Sequence, residues 1–348
     1  MMKRWQFVKR LAPLMLVMTL VLAACGREDL SALNPQGPVA QQQYDLMKLS
    51  ILIMGIVIAV VFLLTLFVII RFRRRPGDNT IPKQIEGNHK LEIVWTVIPV
   101  IMLVILAVPT LQSVFALGKD YRNDPEALQV KVIAHQFWWE FEYPDLGITT
   151  AQELVIPAGK KVMVELISND VIHSFWIPAL AGKIDTNPGG IKNIMYFSAP
   201  EGVFLGKCAE FCGPSHSLMD FKVKSVSESS FDRWTVAMKE PTALPTDPDI
   251  ASALESQCLT CHAVGPENSP YPSLKGIGSR ESVGGVLVNT EDPKYGHEGT
   301  TYDNLYNWIK NNETIKPDNH MAGAYELSEE EMKGIAEYLT NLTLDFED

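Results

Sequence analysis

Two runs without a single charge, Leu49 to Ile70 and Ile93 to Leu117, constrain this chain more than any other feature. At roughly 22 and 25 residues, each is long enough as a helix to cross a hydrocarbon core about 30 Å thick. Arg71, Arg73, Arg74 and Arg75 lie between them. The positive-inside rule assigns that connection to the cytoplasm, so everything after Leu117 is expected outside. Pro99 and Pro109 interrupt the second run. Prolines are tolerated there where neighbouring helices satisfy the freed carbonyls, which predicts a hairpin packed against other subunits.

The amino terminus is a different kind of segment. Lys3, Arg4, Lys9 and Arg10 precede an apolar stretch that closes on Leu22-Ala23-Ala24-Cys25. The stretch, about 14 residues, is short for a span. A basic start, a short apolar middle and small residues before a cysteine predict a lipoprotein signal peptide over 1–24, with Cys25 as the lipidated first residue. The alternative is an uncleaved anchor carrying an incidental cysteine.

Beyond the hairpin, expected over 25–120, the periodicity changes. Leu128, Val130 and Val132 alternate with polar residues, and the runs 153–156 and 162–167 are separated by Pro157-Ala158-Gly159. Period-two patterning with Gly and Pro punctuation predicts a β-sandwich over 121–230. A proline-rich stretch, Lys239 to Pro248, lies within a linker expected over 231–248. A helical domain over 249–348 follows, in which Asp247-Pro248 reads as N-cap and first helical residue. Its last helix opens on Ser328-Glu329-Glu330-Glu331, a capping box, with Met332, Ile335, Ala336 and Leu339 at helical spacing. There is no internal repeat.

The chemistry is concentrated in two motifs. In the first, Cys208, Glu210, Cys212, His216 and Met219 fall within twelve residues, with His173 upstream. Two cysteinates four apart can bridge two metals, and His173, His216, Met219 and a backbone carbonyl complete a sulfur- and nitrogen-rich shell suited to copper rather than magnesium or calcium. A Cys208–Cys212 disulfide and a tetrahedral zinc site are the alternatives. In the second motif, Cys258-Leu259-Thr260-Cys261-His262 is C-x-x-C-H, the attachment pattern of a c-type haem, in which both thiols bond the porphyrin and the histidine becomes an axial ligand. Met321 lies where cytochromes c place a methionine, on a loop before the last helix, and that resemblance makes it the expected sixth ligand, with His320 as its rival. His89 and His297 are read as solvated. With Cys25 assigned to lipid, all five cysteines are used.

The segment from about 40 to 225 resembles subunit II of haem-copper cytochrome c oxidases. The copper loop carries the likeness, together with Asn169 to Phe175, Gly182 to Asp185, His135 to Pro144 and Leu91 to Pro99, in that family's order. Tyr271-Pro272 similarly resembles the cytochrome c loop whose proline packs beside the axial histidine. With the fused haem motif, the likeness is to the caa3 type. The resemblance implies a multi-domain fold: a two-helix transmembrane hairpin, a cupredoxin-like β-sandwich and an all-α cytochrome c domain.

The resemblance further implies a dinuclear copper centre, CuA, bridged by Cys208 and Cys212. His173, His216 and Met219 would be its terminal ligands and Glu210 would supply a carbonyl. The Glu210 carboxylate would reach a magnesium at the subunit I interface, and Glu92 would lie at the mouth of a proton channel; Glu92 also reads as a charge at the edge of a span. Implied partners are oxidase subunit I, other oxidase subunits, and an external cytochrome c or another respiratory donor. The implied location is a bacterial plasma membrane, with both redox domains on the extracytoplasmic face. Electrons would enter at haem c, pass to CuA and leave for subunit I, where oxygen is reduced and protons are pumped; no residue here would be catalytic. Relatives served by a separate cytochrome c usually begin the aromatic run near copper with Trp. Here Phe137 holds that position, followed by Trp138, which is either a conservative swap or a mark of altered electron entry.

A net charge of −11 makes nucleic acid an unsuitable partner. The acidity is concentrated in the haem domain, as a steering surface for a basic donor or simply a solvated face. Three rivals fit less well. A quinol oxidase subunit II lacks the copper ligands present here. A nitrous oxide reductase needs a propeller rich in histidine, and this chain has seven histidines in all. A copper-storage or metallochaperone lipoprotein would not need a haem.

Overall fold

The computed structural model describes residues 30–73, 86–267, 269–289 and 299–346, with residues 15, 77, 81, 83 and 84. The expected signal peptide cleavage site, Cys25, Arg74, Arg75 and His297 lie outside the described residues. Among the described residues two helices, α1 (Pro38–Arg71) and α2 (His89–Leu117), are long and apolar enough to cross a membrane. Proline at the first turn starts α1, and the Asn88 side chain caps α2 by accepting from the Lys90 and Leu91 amides. Pro99 and Pro109 sit inside α2. The two helices are linked near their outer ends, where the Gln42 amide donates to the Ser113 hydroxyl at 2.9 Å.

Ten strands follow. They are β1 (Leu128–His135), β2 (Trp138–Tyr143), β3 (Ile148–Ala151), β4 (Glu153–Pro157), β5 (Val162–Ser168), β6 (His173–Trp176), β7 (Ile184–Thr186), β8 (Asn193–Phe197), β9 (Gly202–Cys208) and β10 (Asp220–Val226). They form two five-stranded sheets, β3-β2-β1-β5-β8 and β4-β10-β9-β6-β7. The Pro157-Ala158-Gly159 turn therefore does not make a hairpin. It carries the chain from one sheet to the other, where β4 runs parallel to β10 and β5 parallel to β1. Alternating residues of both sheets fill one core, with Trp139, Phe141, Phe175 and Phe221 fully enclosed. Tyr143 ties the layers: its hydroxyl donates to the Val155 carbonyl at 2.8 Å and accepts the Val155 amide at 3.0 Å.

The part of 231–248 nearest the sandwich is not extended. Helix α3 (Glu228–Lys239) buries Phe231, Trp234 and Met238 in the sandwich core, leaving residues 240–247 as the extended connection. That connection is pinned, because the buried Lys275 ammonium donates to the Glu240 carbonyl at 2.8 Å and Tyr338 donates to the Ala243 carbonyl at 3.0 Å. The last domain contains α4 (Pro248–Gln257), a short pair β11 (Ser282–Val283) and β12 (Leu287–Val288), α5 (Thr301–Ile315) and α6 (Glu329–Asn341). Asp247 caps α4, and Ser328 with Glu331 forms the capping box of α6. Leu254, Leu305, Ile335 and Leu339 build its separate core.

The helical domain is docked on the sandwich rather than hung from it. Lys222 donates to the Glu281 carbonyl at 2.7 Å, Lys224 pairs with the Glu281 carboxylate at 3.0 Å, and the Glu281 amide donates to Glu153 at 2.9 Å. After α6 the chain turns back, so that Phe346 joins the sandwich core and is only 2% exposed.

Candidate copper and haem centres

One end of the sandwich gathers the first motif. His173 opens β6, Cys208 ends β9, and the loop 209–219 returns to β10 with Met219 at its edge. The β6–β9 pairing sets Phe175 opposite Cys208, while the Cys208 amide donates to the Met219 carbonyl at 3.1 Å. Cys208, Cys212 and Met219 are buried, and His173 is completely so. The two Sγ atoms are 3.9 Å apart, and both cysteines are free thiols. The Nδ1 of His173 is 3.9 Å from Cys208 Sγ, the Nδ1 of His216 is 3.6 Å from Cys212 Sγ, and Met219 Sδ is 3.8 Å from Cys212 Sγ. The Glu210 carbonyl oxygen lies 3.2 Å from Cys208 Sγ, with the residue itself exposed.

This donor set fits a soft metal: two thiols, two imidazole nitrogens and a thioether converge, with His173, Cys208 and Cys212 close enough to share an ion. The far nitrogen of His173 is occupied, because Nε2 is 2.7 Å from the Asp170 carboxylate, leaving Nδ1 facing the sulfurs. Burial opposes a charged His173, yet hydrogen bonds to Asp170 and Cys208 raise its pKa. Hydrogen bonding from Cys212, then from His173 and the backbone, holds the Cys208 thiol well below the usual thiol range against the opposing effect of burial. The Cys212 thiol is pushed up by its bond to Cys208 and by burial. A metal bound by both sulfurs would require both thiols to give up their protons.

The aromatic run stiffens the site from below. Trp139 lies between His173, Phe175 and Phe221, with ring centroids 5.3 to 6.1 Å away. Such pairs contribute about 0.5–1.5 kcal/mol each beyond burial. Gly213 has φ +137°, and a Cβ there would come within 2.9 Å of the Phe137 ring, so the loop needs glycine at this point.

The second motif lines a cavity of about 280 Å³ in the helical domain. Cys258, Cys261, His262, His320 and Met321 all reach it, amid apolar walls that include Ile335 and Leu339 from α6. His262 Nδ1 is 2.8 Å from the Pro272 carbonyl, which can only accept, so Nδ1 carries the proton and Nε2 keeps its lone pair. Burial lowers the His262 pKa, favouring the neutral ligand form. Met321 is half-buried, and its sulfur accepts from the Trp308 indole at 3.3 Å; His320 is exposed, with its ring 6.3 Å from that of Tyr271. Asn319 shapes this loop by donating to Lys316 and Asn312 carbonyls while accepting the Met321 amide. Paired cysteines, a neutral imidazole and a thioether around one apolar cavity fit a covalently held haem.

Four residues of the sandwich side also line that cavity: Gln136, Phe137, Trp138 and Gln152. Phe137 is buried, and Trp138 stacks on His135 at 4.0 Å. The Gln136 side chain donates to the Cys212 carbonyl at 2.6 Å, joining the cavity wall to the metal loop. Glu92 is distant from both centres. It lies in the first turn of α2, exposed, 3.6 Å from His89, where a carboxylate complements the helix dipole. Sequence reading did not assign Asp170, Gln136, Trp308 or Asn319; only Asp170, three residues before His173, left a local signal.

Fold and site together define a membrane-anchored redox protein with a metal-loop sandwich and a c-type cytochrome domain. Residues 33–113 match the transmembrane domain of cytochrome c oxidase subunit II, 146–226 its periplasmic domain and 251–343 cytochrome c. The chain is 44% identical to cytochrome c oxidase subunit 2 of Alkalihalophilus pseudofirmus, covering 98% of this chain and 99% of that protein. It is 45% identical to the same subunit of Bacillus sp. strain PS3, covering 97% and 98% respectively. A quinol oxidase subunit 2 of Bacillus cereus is 33% identical over 74% of this chain and 88% of that protein. The chain belongs to the cytochrome c oxidase subunit II family, in the caa3-type form that carries a fused cytochrome c domain. It is a non-catalytic part of the oxidase complex, a multi-pass plasma-membrane protein with its soluble portion outside the cytoplasm.

Proposed function

We propose that this chain takes electrons at a haem c held by Cys258, Cys261, His262 and Met321, relays them to dinuclear CuA, and delivers them to subunit I for oxygen reduction coupled to proton pumping. The CuA ligands are Cys208, Cys212, His173, His216, Met219 and the Glu210 carbonyl. Haem iron and the copper pair, when bound, supply one-electron storage. The residues around them supply rigidity and order. Asp170 and the Pro272 carbonyl fix the two imidazoles, and the Trp139 cluster keeps the copper loop from reorganising. Glu210, exposed on the loop, meets a magnesium ion at the subunit I interface in this reading, and Glu92 lies at the mouth of a proton channel there. An external cytochrome c or similar donor reduces the haem domain, and Cys25 carries a lipid anchor.

The observation that carries this reading is the shared wall: Gln136, Phe137 and Trp138 line the haem cavity, and Gln136 bonds directly to the backbone of Cys212. This supports electron entry to copper through the Phe137–Trp138 edge, from within the same molecule. Flash photoreduction of the haem in the intact complex tests it. CuA should be reduced in a first-order step whose rate does not change with protein concentration. A rate that rises in proportion to concentration would mean transfer between molecules and would end the proposal.

A further inference from the structure

Between the two centres lies a lysine that none of these roles uses. Lys316 follows α5, five residues before Met321, and is 3% exposed. It lines the haem cavity. Its ammonium donates to the Gly284 carbonyl at 2.9 Å, and among the described residues that is its one hydrogen bond. No carboxylate pairs with it in contact there. The nearby Asp220 carboxylate already receives Lys207 at 2.5 Å.

A buried ammonium with one neutral partner is costly, and an apolar side chain of similar length would fill the space more cheaply. Its surroundings explain its place. The next residue, Pro317, accepts a hydrogen bond from Ser215, the neighbour of His216 in the copper loop. The β11–β12 turn that accepts the Lys316 bond also packs on the start of β10, directly after that loop: a Cβ on Gly285 would lie 2.6 Å from the Asp220 carbonyl. Lys316 is therefore held where the haem cavity and the copper loop meet. Burial lowers its pKa to about 8, while the Asp220 carboxylate, and Cys212 after it, favour the charged form.

We propose that Lys316 is a positioning residue for electron transfer, a fixed positive charge shared by the two centres that stabilises an added electron on either. Because it is buried, salt screens it little. A charge on only one side would favour one centre over the other; a charge between them lowers the energy of the electron at both ends of the step. The inference rests on the relay proposed above.

The test is a spectroelectrochemical titration of the intact complex carrying Lys316→Gln, Lys316→Met or Lys316→Arg. Glutamine keeps a donor for Gly284 but no charge; arginine keeps the charge. The Gln and Met variants should each shift the haem and CuA midpoints together to lower potential, while Arg stays near wild type. If Lys316→Met misfolds, the Gln and Arg comparison carries the result alone. Unchanged midpoints in Gln, or a shift in Met without one in Gln, would reduce Lys316 to a packing or hydrogen-bonding role and overturn the inference. Wild-type protein lacking haem or copper would instead overturn the relay itself, a failure visible before any variant is compared.

Discussion

Arg233, on the helix that closes the sandwich, donates to the backbone carbonyl of Phe346 at 2.8 and 3.2 Å, across 113 residues of sequence. The haem domain is thus fastened at both its ends: its entry segment by Lys275 and Tyr338, and its tail by Arg233 and the burial of the Phe346 ring. Fixed docking, rather than tethering alone, sets the distance between the two centres.

Phe346→Ala should therefore loosen the docking while leaving both domains folded. Removing a buried phenylalanine ring costs about 3 kcal/mol or more where the site cannot collapse. Denaturant unfolding, followed separately by haem absorbance and by sandwich tryptophan fluorescence, should change from coincident transitions to two. Coincident transitions at an unchanged midpoint would show that the tail is not a fastening.

The copper loop yields a stoichiometric prediction. The loaded protein should contain two coppers, and its oxidised form should have one unpaired electron shared between them. Cys208→Ser or Cys212→Ser should abolish that shared signal, because in the proposed centre each sulfur would serve both metals. Met219→Leu should only shift it, since the thioether, 3.8 Å from Cys212 Sγ, would be a terminal ligand and not a bridge. Electron paramagnetic resonance of an isolated copper ion in the wild type would count decisively against the pair.

Haem attachment is checked by extraction. Thioether bonds should keep the haem on the polypeptide in acidified organic solvent. Met321→Ala should remove the sulfur-to-iron charge-transfer band while leaving haem bound. Persistence of that band would mean a sulfur other than Met321 ligates the iron; absence of the band from the wild type would instead make His320, on the same cavity wall, the ligand to test.

For the amino terminus, outside the described residues, mass spectrometry should find an acylated Cys25 as the first residue of the mature chain. Cys25→Ala should still fractionate with membranes, because two spanning helices hold a protein far more firmly than one lipid. Recovery of intact Met1 would refute the signal peptide.

Much of this molecule is written locally. The two spans follow from uninterrupted apolar runs, the starts of α4 and α6 from Asp247-Pro248 and Ser328-x-x-Glu331, and the candidate ligands from cysteine, histidine and methionine spacing. Each signal involves residues close enough in sequence that backbone geometry alone relates them. The Glu228–Lys239 helix was less legible: its start lies in the stretch expected to belong to the sandwich, and most of it in the expected linker. Its own periodicity is short, and the sandwich core that receives Trp234 is assembled from strands far away in sequence.

Tertiary structure alone decided which sheet each strand joins, which groups orient the ligands and how the two centres meet. Nothing near Gln136 in sequence announces Cys212, 76 residues on, and nothing near Glu281 announces Glu153, 128 residues earlier. Nothing beside Lys316 in sequence announces the enclosure that leaves it 3% exposed. Local patterns report what a segment can become; the cost of burying a charge and the partner that offsets it exist only once distant surfaces are brought together.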